Sequence, residues 1–159
     1  MRRLFTITLL TLSVQSYGQE KEVRVKLADD VILTFVKDVF DPKGKKIERS
    51  DKLVISIDNK LVFGTDGEMP RTYLKKGTLT IGTQIYDLQV DGMYNPWHQD
   101  YFNDRVFKLK IEGHKYKIIG GFSDGAGYYG VEWIAFGQGC TRTILTDDEK
   151  IMFEYMEDK

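Results

Sequence analysis

The strongest constraint on this chain is a two-residue rhythm, clearest between Val106 and Gly120. Phe107, Leu109 and Ile111 alternate with Lys108, Lys110 and Glu112. After Gly113-His114 the rhythm resumes through Lys115, Tyr116, Lys117 and Ile118. Successive side chains of an extended strand point to opposite faces, so this pattern specifies strands rather than a helix. Gly-His suits a two-residue hairpin turn with glycine at its first central position. That register sets Glu112 against Lys115, Ile111 against Tyr116, Lys110 against Lys117 and Leu109 against Ile118. Apolar residues then share one face and charged residues the other.

The same rhythm recurs in short runs broken by turn residues. Val23, Val25 and Leu27 alternate with Arg24 and Lys26, and Ala28-Asp29-Asp30 leads into Val31–Val36. Leu53–Ile57 returns through Asp58-Asn59 to Leu61–Phe63, and Leu79–Ile81 through Gly82-Thr83 to Ile85–Val90. Residues 120–139 hold seven glycines around Tyr129, Val131, Trp133 and Ala135, with Ile134 and Phe136 between them. Apolar side chains on both faces mark a central strand, with Thr141–Leu145 beside it. Only the C-terminus changes period. Thr146 and Glu149 form a capping box, and Ile151, Met152, Tyr155 and Met156 make a stripe, which predicts a helix over 146–157. The fold class is therefore all-β, mostly antiparallel hairpins in about nine or ten strands. One C-terminal helix packs on the sheet, and a sandwich or a partly closed barrel satisfies the pattern equally.

Before the first strand, Met1-Arg2-Arg3 precedes an apolar run over Leu4–Val14, and Ser16 and Gly18 occupy the small-residue positions of a cleavage site. This is the layout of a secretory signal peptide over residues 1–18. Eleven residues at about 1.5 Å each span only about half a hydrocarbon core, so no membrane span is expected after cleavage. The expected location is periplasmic or extracellular. Residues 19–159 then form one β-rich domain. Its 21 basic and 24 acidic side chains leave a net charge of −3, which offers no electrostatic footprint for nucleic acid. Cys140 is the only cysteine, so no internal disulfide is possible, and a small buried residue is the expected role.

One segment breaks the alternation. MYNPWHQDYFND, residues 93–104, concentrates Tyr94, Trp97, Tyr101 and Phe102 around Pro96 and His98. Pro96 cannot donate to a ladder, so the segment reads as a long loop, and long loops in small domains are often functional. Large rigid rings with polar handles make good contact surfaces. Tyr94, Trp97, His98, Tyr101 and Phe102 are therefore the candidate partner-binding residues. The alternative is a plug whose rings close the end of the sandwich or barrel. On the recognition reading Trp97→Ala abolishes partner capture and leaves the melting temperature nearly unchanged. A second candidate is the face carrying Lys108, Lys110, Lys115 and Lys117, which suits an anionic partner or simply keeps the sheet solvated.

Other chemistries find little footing. His98 and His114 are the only histidines and have no zinc-ligand spacing, so no metal and no cofactor are expected. The glycines of GGFSDGAGYYG precede a strand rather than the helix a phosphate cradle requires. The expected function is an exported, non-enzymatic recognition module for a protein or glycan, inhibitor- or immunity-like in one version. A first alternative is a carrier of a small apolar ligand, similar in architecture to the lipocalins. A second is a hydrolase pairing Asp100 or Asp104 with Glu132.

Overall fold

In a computed structural model, residues 20–98, 102–123 and 125–156 are described. The proposed signal peptide lies outside them, as do Asp100 and Tyr101. The strands are β1 (Lys21–Ala28), β2 (Val31–Val39), β3 (Ile47–Ser50), β4 (Leu53–Ile57), β5 (Lys60–Leu61), β6 (Thr72–Ile81), β7 (Gln84–Asp87), β8 (Lys108–Glu112), β9 (Lys115–Phe122), β10 (Tyr129–Phe136) and β11 (Gly139–Thr146), followed by helix α1 (Glu149–Met156). They form two four-stranded antiparallel sheets, β1-β2-β6-β7 and β11-β10-β9-β8, and a small sheet β3-β4-β5 inserted between β2 and β6.

The alternation explains how the large sheets meet. β2 buries Val31, Leu33 and Phe35 on one face, and β10 buries Tyr129, Val131, Trp133 and Ala135. These faces, with Leu79 of β6 and Ile118 and Phe122 of β9, make one continuous core. Phe35 sits at its centre. Its ring lies 5.2 Å from Phe122, edge-on, 5.7 Å from Phe107 and 6.0 Å from Trp133. Gly120 is required where Phe107 crosses β9, because a Cβ there would overlap the Phe107 ring.

The predicted hairpin forms with the expected register, from Glu112–Lys115 through Leu109–Ile118. Gly113 takes the left-handed turn conformation, φ 61°. β10 is central, flanked by β9 and β11. The architecture is a sandwich. Along one seam, the hydroxyl of Tyr86 and the amide of Gln84, both on β7, donate to the Gly137 carbonyl in the β10–β11 turn. Along the other, an open groove lined by Val25, Leu27, Phe107, Leu109 and Ile111 separates β1 from β8.

Three expectations change. Eleven strands form among the described residues rather than nine or ten, because Ile47–Ser50 gains its order from pairing with β4 and has no alternation of its own. β6 runs from Thr72, well before Leu79. Its Gly77 makes room for Val90 and Leu88, which cross close to it. Helix α1 begins at Glu149 and not at 146. The side chain that caps it is Asp148, which accepts from the Lys150 and Ile151 N–H groups at 2.8 and 3.3 Å. Thr146 instead accepts from the Asp148 N–H at 3.0 Å, one turn early. Met152 of α1 packs over Gly130 on the outer face of β10. No helix among the described residues is long and apolar enough to cross a membrane.

Candidate functional site

Residues 93–98 run across one end of the sandwich and are fixed there from both sides. The Tyr94 N–H donates to the Phe63 carbonyl at 3.0 Å, and the Tyr129 hydroxyl donates to the Tyr94 carbonyl at 3.2 Å. The Ser123 N–H donates to the Pro96 carbonyl at 2.7 Å. Asn95 does most of the joining. Its Oδ1 accepts from the N–H groups of Arg71 and Thr72 at 2.9 and 3.1 Å. Its Nδ2 donates to the Gly64 carbonyl at 3.0 Å, and its own N–H donates to Thr72 O at 2.9 Å. One side chain thus ties three separate segments together, in a left-handed backbone (φ 39°) that asparagine tolerates better than most residues.

This clamp builds the wall of a cleft of about 400 Å³. It is lined by Lys37, Thr65, Asp66, Glu68, Arg71, Thr72, Asn95, Trp97, His98 and Ser123, with Gly64 and Gly127 leaving space between them. The lining comes from four stretches of chain: the end of β2, the loop after β5, the 95–98 segment and the turn before β10. Six described non-glycine residues have left-handed backbones, and three of them, Asp66, Asn95 and Ser123, line this one cleft. The others sit in the short turns of the small sheet, where such geometry is routine. Unfavourable backbone that persists in longer loops is characteristic of ligand clamps and active sites.

Trp97 is the correction that matters most. The sequence suggested exposed rings, and Trp97 is only 5% exposed. Its ring meets Phe102 edge-on at 5.1 Å, and Phe102 stacks on Phe107 at 5.6 Å, so both join the core. The cause is the gap between the ends of the two sheets, which a flat, rigid ring fills well. Of the reading that made this loop an exposed aromatic surface, the plug alternative describes Trp97 and Phe102 better. Tyr94 is half-buried. Its ring packs edge-on against Phe40 at 5.5 Å, and the residue lines a second, separate cleft of about 290 Å³ with Tyr73, Asp58 and Asp91. Burial, then the charges of Asp58 and Asp91, push its phenol above the usual range, so it stays neutral. His98 is exposed at the rim of the first cleft. Tyr101 lies outside the described residues.

The electrostatics of the first cleft are mixed. Asp66, Glu68, Arg71 and His98 stand exposed at its rim, and Lys37 is a buried lining residue, 8% exposed. Nζ of Lys37 donates to the Trp97 carbonyl at 3.2 Å and sits 4.7 Å from the centroid of the Trp97 ring, within cation–π range. The indole N–H of Trp97 has no hydrogen-bond partner among the described residues. Trp133 makes the contrast, since its Nε1 donates to the Gln89 carbonyl at 3.0 Å.

The lysine face forms on the outside of the sheet as the register requires. Lys110 stands opposite Lys117, and buried Glu132 on the next strand offsets the repulsion. Its Oε2 lies 3.3 Å from Lys117 Nζ, close enough for ion pairing though not aligned as a hydrogen bond, and its Oε1 accepts from the Thr143 hydroxyl at 2.5 Å. The face is therefore partly self-compensated. Glu132 borders the crevice beneath α1, whereas Asp104 borders the β1–β8 groove. The structure does not bring these two carboxylates to one cleft. Cys140 is half-buried against the core, and burial pushes its thiol up to about 11, so it is not a thiolate at neutral pH.

The cleft residues outside 93–104, Lys37, Thr65, Arg71 and Ser123 among them, have no sequence signal as a group. The nearest hint is the Asp66-Gly67 turn, which marks where the chain bends at the site. No family model matches the chain, and no curated protein and no solved structure shows significant similarity to it.

Proposed function

We propose that the protein is an exported, non-enzymatic recognition module, and that it takes part of a protein or glycan partner into the cleft between Lys37, Arg71, Asn95 and Trp97. The observation that carries this reading is the convergence of four chain segments on one polar cleft, held open by the Asn95 clamp and floored by a buried cation. Concave sites with a few convergent polar groups on an apolar floor are the usual form of a ligand site. Recognition then uses the groove beside the aromatic segment, with Trp97 as its floor. The carrier reading gains no support, because Phe35, Phe107, Phe122 and Trp133 occupy the space between the sheets.

A thermal-shift screen of peptides, oligosaccharides and sugar acids tests the cleft. At least one class raises the melting temperature of the wild type, and the double variant Arg71→Ala/His98→Ala loses most of that rise. Both side chains are exposed, so the variant keeps its own melting temperature within a few degrees. No stabilisation by any class, or an equal rise in the variant, contradicts the reading. Export rests on Met1–Gly18 alone. Sequencing the mature N-terminus is expected to begin at Gln19, and a retained Met1 in secreted or periplasmic material rejects it.

A further inference from the structure

Two of the cleft's lining side chains are more than nine-tenths buried and carry N–H donors, Lys37 at 8% exposure and Trp97 at 5%. They touch each other, ammonium over ring. The indole donor of Trp97 is unmet among the described residues, although Trp133, just as deeply buried, meets its own. Buried donors are almost always satisfied, and an unmet one calls for an acceptor that the described residues do not supply. The neighbourhood specifies which kind. A buried ammonium adjoins the indole, and Arg71 and His98 stand at the rim, so the complementary acceptor is negatively charged. Asp66 and Glu68 share that rim and penalise a doubly charged group more than a singly charged one.

Resting on the cleft reading above, we propose that the Trp97 end of the cleft receives a carboxylate of the ligand. One carboxylate oxygen accepts from Trp97 Nε1, and the group pairs with the Lys37 ammonium below and the Arg71 guanidinium at the rim. The indole nitrogen is shielded from water, so the carboxylate reaches it through a side-chain shift at that end of the cleft. Such a carboxylate comes either from the free C-terminus of a peptide or from an acidic sugar.

The protein's two tryptophans make the test internal. In 15N-labelled protein they give two indole N–H resonances, assigned with Trp97→Phe. Acetyl-diglycine and glucuronic acid are titrated, each against its neutral counterpart, the acetyl-diglycine amide and glucose. The expected result is a downfield shift of the Trp97 resonance with one or both carboxylates, none with the neutral probes, and a stationary Trp133 resonance. A shift from acetyl-diglycine alone identifies a peptide C-terminus, and one from glucuronic acid alone an acidic glycan. Lys37→Met weakens the binding by about tenfold or more. Should that buried substitution disturb the fold, which the Trp133 resonance reports, exposed Arg71→Ala provides the same comparison. A Trp97 resonance that neither acid moves overturns the proposal, as does equal movement with the neutral probes. Stabilisation that depends on Arg71 and His98 without movement of the indole overturns the carboxylate alone and leaves the cleft standing. Absence of any such stabilisation overturns both.

Discussion

Gly64→Ala is expected to cost about 3 kcal/mol or more and to remove ligand binding with it. Gly64 has φ 93°, a backbone that an L side chain rarely adopts. A Cβ at this position would be driven into the Tyr94 carbonyl oxygen and would lie 2.8 Å from Cε1 of the buried Tyr129. Neither obstacle is the free end of a flexible side chain. One is backbone, and the other is a ring whose hydroxyl is already committed to the same Tyr94 carbonyl. The segment must move, and it takes Asn95 with it, since Gly64 O receives the Asn95 amide. Chemical denaturation checks this. A midpoint within a few tenths of a molar of wild type contradicts the close approach of residues 64 and 94.

Trp97→Ala is expected to cost about 3–5 kcal/mol, the usual range for truncating a large buried ring, and to lower the melting temperature by about 10 °C or more. The substitution empties the space between Phe102 and Lys37 and takes away the ring under the buried ammonium. Trp97→Phe retains much of the packing and falls between the two. This reverses what the sequence suggested for the same substitution, a nearly unchanged melting temperature with lost capture. Calorimetry of the three proteins decides it, and an alanine variant that melts with the wild type contradicts the buried placement.

The contrast shows where one-dimensional reasoning has force. The Val106–Gly120 register was legible because Gly113 dictates the turn and because a slip of one residue would turn Leu109 away from the core it packs against, so a local rule has one solution. β10 was legible from apolar side chains on both faces. The start of α1 was misread by a few residues because Thr146, Asp147 and Asp148 are all good capping residues, and only the geometry of β11 chooses Asp148. Trp97 was legible as important but not as buried. A ring in a loop looks the same on paper whether it faces water or closes the gap between two sheets. The difference lies in Phe102, Phe107 and Lys37, which the chain brings in from other elements. The cleft was the least legible, because Lys37, Arg71, Asn95 and Ser123 are joined by the crossing of loops and by no periodicity.

The account stands on Trp97 lying enclosed at the cleft floor, beneath Lys37 and against Phe102. Iodide quenching of tryptophan emission tests this directly in the unmodified protein. Iodide quenches only an indole that it can reach from solvent. The predicted result is that both tryptophans resist quenching, with no separately accessible fraction. A fraction of the emission quenched as readily as free tryptophan, and lost on replacing Trp97 with phenylalanine, would contradict it.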